Sequence, residues 1–304
     1  MTPFRLGTRG SPLALTQAHM VRDALAAAHA LTPADFEIVV IKTTGDKVQD
    51  RPLAEIGGKS LWTKELDRAL LGGEIDCAVH SMKDVETFRP DMIRIAAMLP
   101  RAEVGDRIVG AVSIAALRQG AVVGTSSPRR AAQLKRLRPD LEIVMFRGNV
   151  DTRLARLAAG EADATLLAAA GLERLGRHDV GHAIPTNLML PAPAQGAVGI
   201  EVRADDHAAL HMLAAIDHVE TRTCVLAERG LLAALKADCH SPVGALAVIE
   251  GAILTLAAEL LSEDGAHHVH AQIEGAPTDA GLPLAVARDL LTRAPPEVRR
   301  LFDG

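Results

Sequence analysis

The sequence predicts an α/β fold of two similar lobes followed by a small α+β domain, and three observations predict it. Through the first two-thirds of the chain, short apolar runs alternate with amphipathic segments, the pattern of parallel strands joined by helices. Two segments recur in the same order. Gly7-Thr8-Arg9-Gly10-Ser11-Pro12 is echoed by Gly124-Thr125-Ser126-Ser127-Pro128, and Gly73-Glu74-Ile75-Asp76-Cys77-Ala78 by Gly160-Glu161-Ala162-Asp163-Ala164-Thr165. Such echoes are short, and Gly, Ser and Pro recur at helix starts for local reasons, so their shared order carries the weight. After about Asp217 the texture changes to one long Ala/Leu-rich stretch and then several apolar runs.

Each element follows from local chemistry. Strands are expected at residues 4–6, 36–42, 75–80, 93–98, 108–111, 121–124, 142–146 and 163–168. Ser11-Pro12 and Ser127-Pro128 each open a helix, with serine as N-cap and proline at the first helical position. Residues 61–71 form another helix, which stops at Gly72-Gly73. The stretch 184–203 is rich in Pro, then Gly, then apolar residues. It reads as a strand closing the second lobe and one returning to the first, an arrangement that makes a hinge beside a cleft. Beyond it, a helix is expected at 218–237, strands at 245–249, 253–261 and 267–273, and a last helix. The division expected is therefore 1–98 with 198–216 for the first lobe, 102–193 for the second, and 218–304 for the C-terminal domain, with Cys239 between its first helix and first strand.

Composition narrows the function. At 304 residues the chain exceeds the usual single domain. It is 48% hydrophobic but only 2% aromatic, with no Tyr, so Ala, Leu, Val and Ile must fill its cores. A net charge of −5 argues against a general nucleic-acid binder. No charged-then-apolar signal region precedes the first strand, and no run approaches the roughly 18 apolar residues of a membrane span, so a cytoplasmic protein without a membrane partner is expected. Nothing points to an obligate protein partner, and a monomer is expected. Cys77, Cys224 and Cys239 are an odd number without metal-type pairing, which argues against a disulfide framework.

Basic residues cluster nonetheless. Arg129-Arg130, Arg147, Arg153 and Arg156 share a short span, and Arg9, Lys59 and Lys83 sit in expected loops. Free N–H groups and partial positive charge at the two Ser-Pro helix starts suit an anion, as do paired arginines around the Gly turn in Arg147-Gly148-Asn149-Val150-Asp151-Thr152-Arg153. Well-capped helices with solvated arginines explain the same residues equally well. Gly57-Gly58-Lys59-Ser60 imitates the end of a phosphate-binding loop, but Leu53 stands where that motif needs its first Gly. His80-Ser81-Met82-Lys83-Asp84 follows a strand at the end where open α/β sheets hold ligands; a surface ion pair is the plainer reading. Cys77 and Cys224 fall in apolar segments as core residues do, whereas Cys239 lies in a polar loop where a thiolate is reachable. His207 and His211 have helical spacing and His267, His268 and His270 cluster, but no third ligand or metalloprotease Glu accompanies them, so no metal site is expected.

Taken together, these segments resemble the porphobilinogen deaminase (hydroxymethylbilane synthase) family from about Arg5 to about Ala247. The carrying segments are Gly7 to Leu15, Gly57-Gly58-Lys59, His80 to Asp84, Gly124 to Ser127 with Arg129-Arg130, Arg147 to Val150 with Thr152-Arg153, Ala170-Gly171-Leu172, and Gln195 to Glu201. His-Ser-Met-Lys-Asp and Arg-Gly-Asn-Val in this order are highly specific. The resemblance implies two periplasmic-binding-protein-like lobes with a hinge, plus a C-terminal domain carrying a cofactor cysteine.

It further implies a transferase that deaminates and polymerises four porphobilinogen molecules on a dipyrromethane primer and releases hydroxymethylbilane for tetrapyrrole synthesis. The primer would be a thioether of Cys239. Asp84 would hydrogen-bond pyrrole N–H groups and stabilise the azafulvene-like cation left when ammonia departs. Ser81, Lys83, Asp84, Ser127, Arg129 and Arg130 would hold the cofactor, and Arg9, Ser11, Lys59, Arg147, Asn149, Arg153 and Gln195 the substrate. The physics agrees: every pyrrole unit adds two carboxylates, and an unpaired buried charge is prohibitive. Three places depart from the family pattern, namely Glu55 where a basic residue is common, Trp62 where Phe is frequent, and Ala237-Asp238 in place of Gly-Gly before the cysteine. A two-lobed, non-enzymatic anion-binding protein would share the fold without needing Asp84 or Cys239, and the missing signal region weakens that alternative. A histidine-based metal hydrolase has the least support.

Overall fold

The computed structural model describes residues 3–42, 63–238 and 240–302. The chain divides into two compact units, one made of residues 1–102 and 196–222, the other of 103–195 and 223–304.

In the first unit, β1 (Phe4–Arg9), β2 (Phe36–Ile41), β3 (Cys77–Ser81), β4 (Ile93–Met98) and β10 (Val198–Arg203) form a five-stranded sheet in the order β2-β1-β3-β10-β4. β1 runs parallel to both β2 and β3, but β10 is antiparallel to both its neighbours. Helix α1 (Pro12–His29) packs one face, where Val21 and Leu25 meet Leu6, Val79 and Ile200. The short α2 (Lys64–Leu71) covers the other, burying Leu66 and Leu70 against Ile75 and Ile93. Helix α6 (His207–Ala214) adds Leu213 to the α1 face. Alternation along β3 explains the split: Cys77 and Val79 face α1, and Ala78 faces α2.

The second unit repeats this plan in β5 (Asp106–Val109), β6 (Val122–Gly124), β7 (Glu142–Val144), β8 (Ala164–Ala168) and β9 (His182–Ile184), ordered β7-β6-β8-β5-β9. Here β6 is parallel to β7 and β8, and β5 is antiparallel to β8 and β9. Both sheets are therefore mixed where parallel strands were expected. The cause is connectivity: the antiparallel strand is β5 just after the chain leaves the first unit and β10 just after it returns. Helices α3 (Pro128–Leu137), α4 (Val150–Ala158) and α5 (Ala169–Arg174) follow β6, β7 and β8 in turn.

The same unit holds a three-stranded antiparallel sheet, β11 (Val243–Glu250), β12 (Ile253–Leu261) and β13 (His268–Gly275), packed with α7 (Val219–Ala234), α8 (Leu282–Arg293) and α9 (Pro296–Arg299). Leu231, Leu256, Leu260, Val286 and Leu290 are fully buried between them. The boundary between the compact units falls within α7, after Arg222. This layer is joined to the second lobe by polar side chains as well. Glu228, wholly buried on α7, accepts the amide of Ala194 at 2.5 Å and that of Ala247 at 2.8 Å. Gln133 on α3 donates to Glu259 on β12 at 2.5 Å.

Candidate functional site

Parallel pairing of β1 and β3 brings the loops that follow them to the same end of the first sheet. Ser11 caps α1, its hydroxyl accepting the Ala14 amide at 3.3 Å, and Arg9 is half-buried at the end of β1. Gln17, buried one turn further along α1, donates to the Ser81 hydroxyl at 2.8 Å and fixes it at the end of β3. A single 3-10 turn, Met82–Asp84, comes next. Met82 anchors it: the side chain is fully buried, and its amide donates to the Ala197 carbonyl at 3.0 Å. Lys83 is half-buried and Asp84 is exposed. The turn thus presents a cation and a carboxylate side by side on a rigid support. Lys59, Glu55 and Trp62 lie outside the described residues.

In the second unit the loops after β6 and β7 likewise leave from one end. Ser127 caps α3 by accepting the Arg130 amide, and Asn149 caps α4 by accepting the Thr152 amide at 2.9 Å. Between them Arg153 donates to the Gly148 carbonyl at 3.1 Å and to the Ser126 hydroxyl at 3.4 Å. Gly148 has φ of 102°, and a Cβ there would meet the Thr152 side chain at 2.7 Å, so the Arg-Gly-Asn turn requires glycine. Half-buried Arg147 and exposed Asn149 flank it. Arginines and helix N-termini collected in this way are a donor set for carboxylates.

Arg129, Arg130 and Gln195, expected at a ligand surface, are buried to within 5% exposure. Asp106 is the reason. Its carboxylate accepts from Arg129 at 2.8 Å, from Arg130 at 3.1 and 2.7 Å, and from Gln195 Nε2 at 2.7 Å. Arg130 also donates to the Leu166 carbonyl, and Arg129 to Gln133 and the Leu190 carbonyl. Burial alone would raise the Asp106 pKa, but the two guanidinium groups hold it well below the usual carboxylate range. Each guanidinium has five N–H donors, and three on each are used in this way. The Nε of Arg129 is buried without a partner among the described residues.

Arg174, at the end of α5, is a further cation that the sequence motifs pass over. Burial pushes its pKa down and only partly yields to Glu173. Its position two residues beyond Ala170-Gly171-Leu172 was the available signal. Cys77 is fully buried, which pushes its thiol well above the ordinary range, and Cys224 is buried too. Cys239 is outside the described residues. Beside it, Asp238 accepts the His240 amide at 2.9 Å and donates its own amide to the Ser241 hydroxyl at 3.2 Å.

Comparison with known proteins bears on this arrangement. A family model described as porphobilinogen deaminase, dipyromethane cofactor binding domain, matches residues 4–211, and one described as porphobilinogen deaminase, C-terminal domain, matches residues 222–292. The chain belongs to the porphobilinogen deaminase family. It is 59% identical to the porphobilinogen deaminase of Sphingopyxis alaskensis, over 99% of this chain and 96% of the relative. The Paracoccus denitrificans porphobilinogen deaminase is 52% identical over 96% and 95% of the two chains, and that of Nitrobacter hamburgensis 47% over 98% and 96%. Among solved structures, the VFT2 domain of BvgS from Bordetella pertussis overlaps 71% of this chain and 85% of its own, with a TM-score of 0.41 and 17% identity.

The cofactor of porphobilinogen deaminases is rich in carboxylates, and the residues here fit such a group. The orphaned Arg129 Nε, the cap of α3 and the Ser126–Arg153 pair bring positive charge and N–H donors together here.

Proposed function

We propose that this chain joins four porphobilinogen molecules head to tail, releasing ammonia at each joining, on a dipyrromethane primer carried by Cys239, and then frees hydroxymethylbilane by hydrolysis. The collinear family match through residues 4–211 and 222–292 carries this reading, and it spans both Asp84 and Cys239. When bound, the primer would supply a free pyrrole α-carbon as the nucleophile, the proton on that carbon leaving once the new C–C bond has formed. The family resemblance assigns the attachment to Cys239, and the burial of Cys77 and Cys224 agrees with it.

Asp84 accepts the pyrrole N–H of porphobilinogen. As the C–N bond breaks and its electron pair leaves with ammonia, the pyrrole nitrogen feeds electrons into the ring, and the exposed carboxylate stabilises the positive charge that develops there. Lys83, Ser81 and Ser127 hold the primer's carboxylates, and Arg129 and Arg130, buried on Asp106, supply positive charge behind them. Arg9, Ser11, Lys59, Arg147, Asn149, Arg153 and Arg174 hold those of incoming and added rings. Gln195 serves this set by orienting Asp106. Among the described residues no helix is long and apolar enough to cross a membrane. The proposed protein is a cytoplasmic monomer whose partner is its small-molecule substrate.

The intact mass of the purified protein tests the reading. An excess equal to two deaminated porphobilinogen units is expected, and it disappears in Cys239→Ser; a parent protein at its bare mass with full turnover overturns the proposal.

A further inference from the structure

One buried carboxylate holds both ends of the loop that bears Asp84. Glu201, on β10, is wholly buried. Its Oε2 lies 3.2 Å from His80 Nε2, at the residue where β3 gives way to the Ser81–Asp84 turn. The same carboxylate accepts two hydrogen bonds from Arg89, Nε to Oε1 and a terminal nitrogen to Oε2, both at 2.8 Å. His80 stands four residues before Asp84 and Arg89 five after it, so the exposed carboxylate sits midway along a segment whose two ends face one side chain, Arg89 through two hydrogen bonds and His80 through a 3.2 Å ionic contact without hydrogen-bond geometry. Burial would raise the Glu201 pKa, yet His80 and Arg89 pull it down to about 2.

The clamp is itself braced. Arg89 donates to Asp67 on α2 at 2.6 and 3.1 Å and to Glu86 at 2.6 Å, and Thr63 donates to Glu86 at 2.9 Å. Three carboxylates therefore surround one guanidinium and one imidazole. A buried group of this kind gains little stability over apolar packing, and fixed geometry is its best-attested use. The backbone agrees with that use: Gly199 on β10 pairs with His80, and a Cβ there would come within 2.0 Å of the Met82 sulfur, so the return strand is pressed against the base of the turn.

We propose that Glu201 is a positioning residue for the condensation: by gripping His80 and Arg89 together it sets where the Asp84 carboxylate meets the pyrrole nitrogen. This rests on the role given to Asp84 above. The test is a double-mutant cycle in primer-loaded enzyme, with turnover measured well below the melting temperature. Glu201→Gln is expected to lower kcat roughly 10–100-fold with KM within about twofold, since a small misplacement of a reacting group has that effect. In the Asp84→Asn background the same substitution is expected to add almost nothing, because its effect runs through the carboxylate already removed. Arg89→Lys, which keeps the charge but loses the forked contact, should fall between, and it replaces Glu201→Gln in the cycle if that variant does not fold. Full multiplication of the two losses, or a lowered melting temperature with unchanged kcat, overturns the proposal. Near-normal turnover of Asp84→Asn alone would instead remove the role of Asp84.

Discussion

Gln195 Nε2 donates to Asp106 Oδ1 at 2.7 Å, in a cluster where Asp106 also receives Arg129 and Arg130. Because Asp106 is almost fully buried, the two arginines at the head of α3 depend on it for their charge balance. A carboxylate shared between paired cations and an amide is a support for the site more than a contact within it.

The first prediction follows from that dependence. Asp106→Asn leaves two buried guanidinium groups uncompensated, and a loss of about 3–5 kcal/mol is expected. The sign with pH is fixed by the depressed pKa: stability from Asp106 is fully present above its ordinary value of 3.8 and is lost progressively as pH falls below it. Acid titration followed by circular dichroism should show this steep loss in the parent and a flatter dependence in Asp106→Asn.

Asp84 is exposed and has no role in the core, so Asp84→Asn should fold and melt as the parent does. Its primer load by intact mass should be unchanged, whereas elongation slows by about 10²–10³-fold. Single-turnover kinetics with porphobilinogen measure the rate.

Close approach at β10 gives a third expectation. In Gly199→Ala the new methyl meets the Met82 sulfur, and Met82 is too deeply packed to swing away. Destabilisation of about 1–3 kcal/mol is expected, with slower turnover because the displaced residue starts the turn that ends at Asp84. Thermal melting and kcat together check it; an unaffected kcat would separate the packing from the catalytic turn.

Much of the fold is legible in the residues because its signals are local. Ser11 and Ser127 cap helices where proline follows them, and β1, β2, β4 and β12 lie within a few residues of their apolar runs. Strand direction is not legible in the same way. An apolar run has no polarity, so β5 and β10 are known to be antiparallel only from the pairing. The same limit applies to the site. His80-Ser81-Met82-Lys83-Asp84 and the Arg-Gly-Asn turn are contiguous and could be read directly. Asp106 is 23 residues from Arg129, and Arg89 is 112 from Glu201, so nothing in either neighbourhood announces the partner. Paired arginines at the head of a helix read as ligand contacts in the sequence, and the acid that also engages them lies too far along the chain to be read beside them.

Glu228 spends its two oxygens on the amides of Ala194 and Ala247, one at the close of the second lobe and the other within the last sheet. A gene truncated near residue 217 to discard the final domain would strand the Ala194 amide and leave Gln133 without Glu259. The third domain is thus no detachable carrier for a cysteine. It shares one compact unit with the second lobe, and removing either leaves polar groups of the other unpaired.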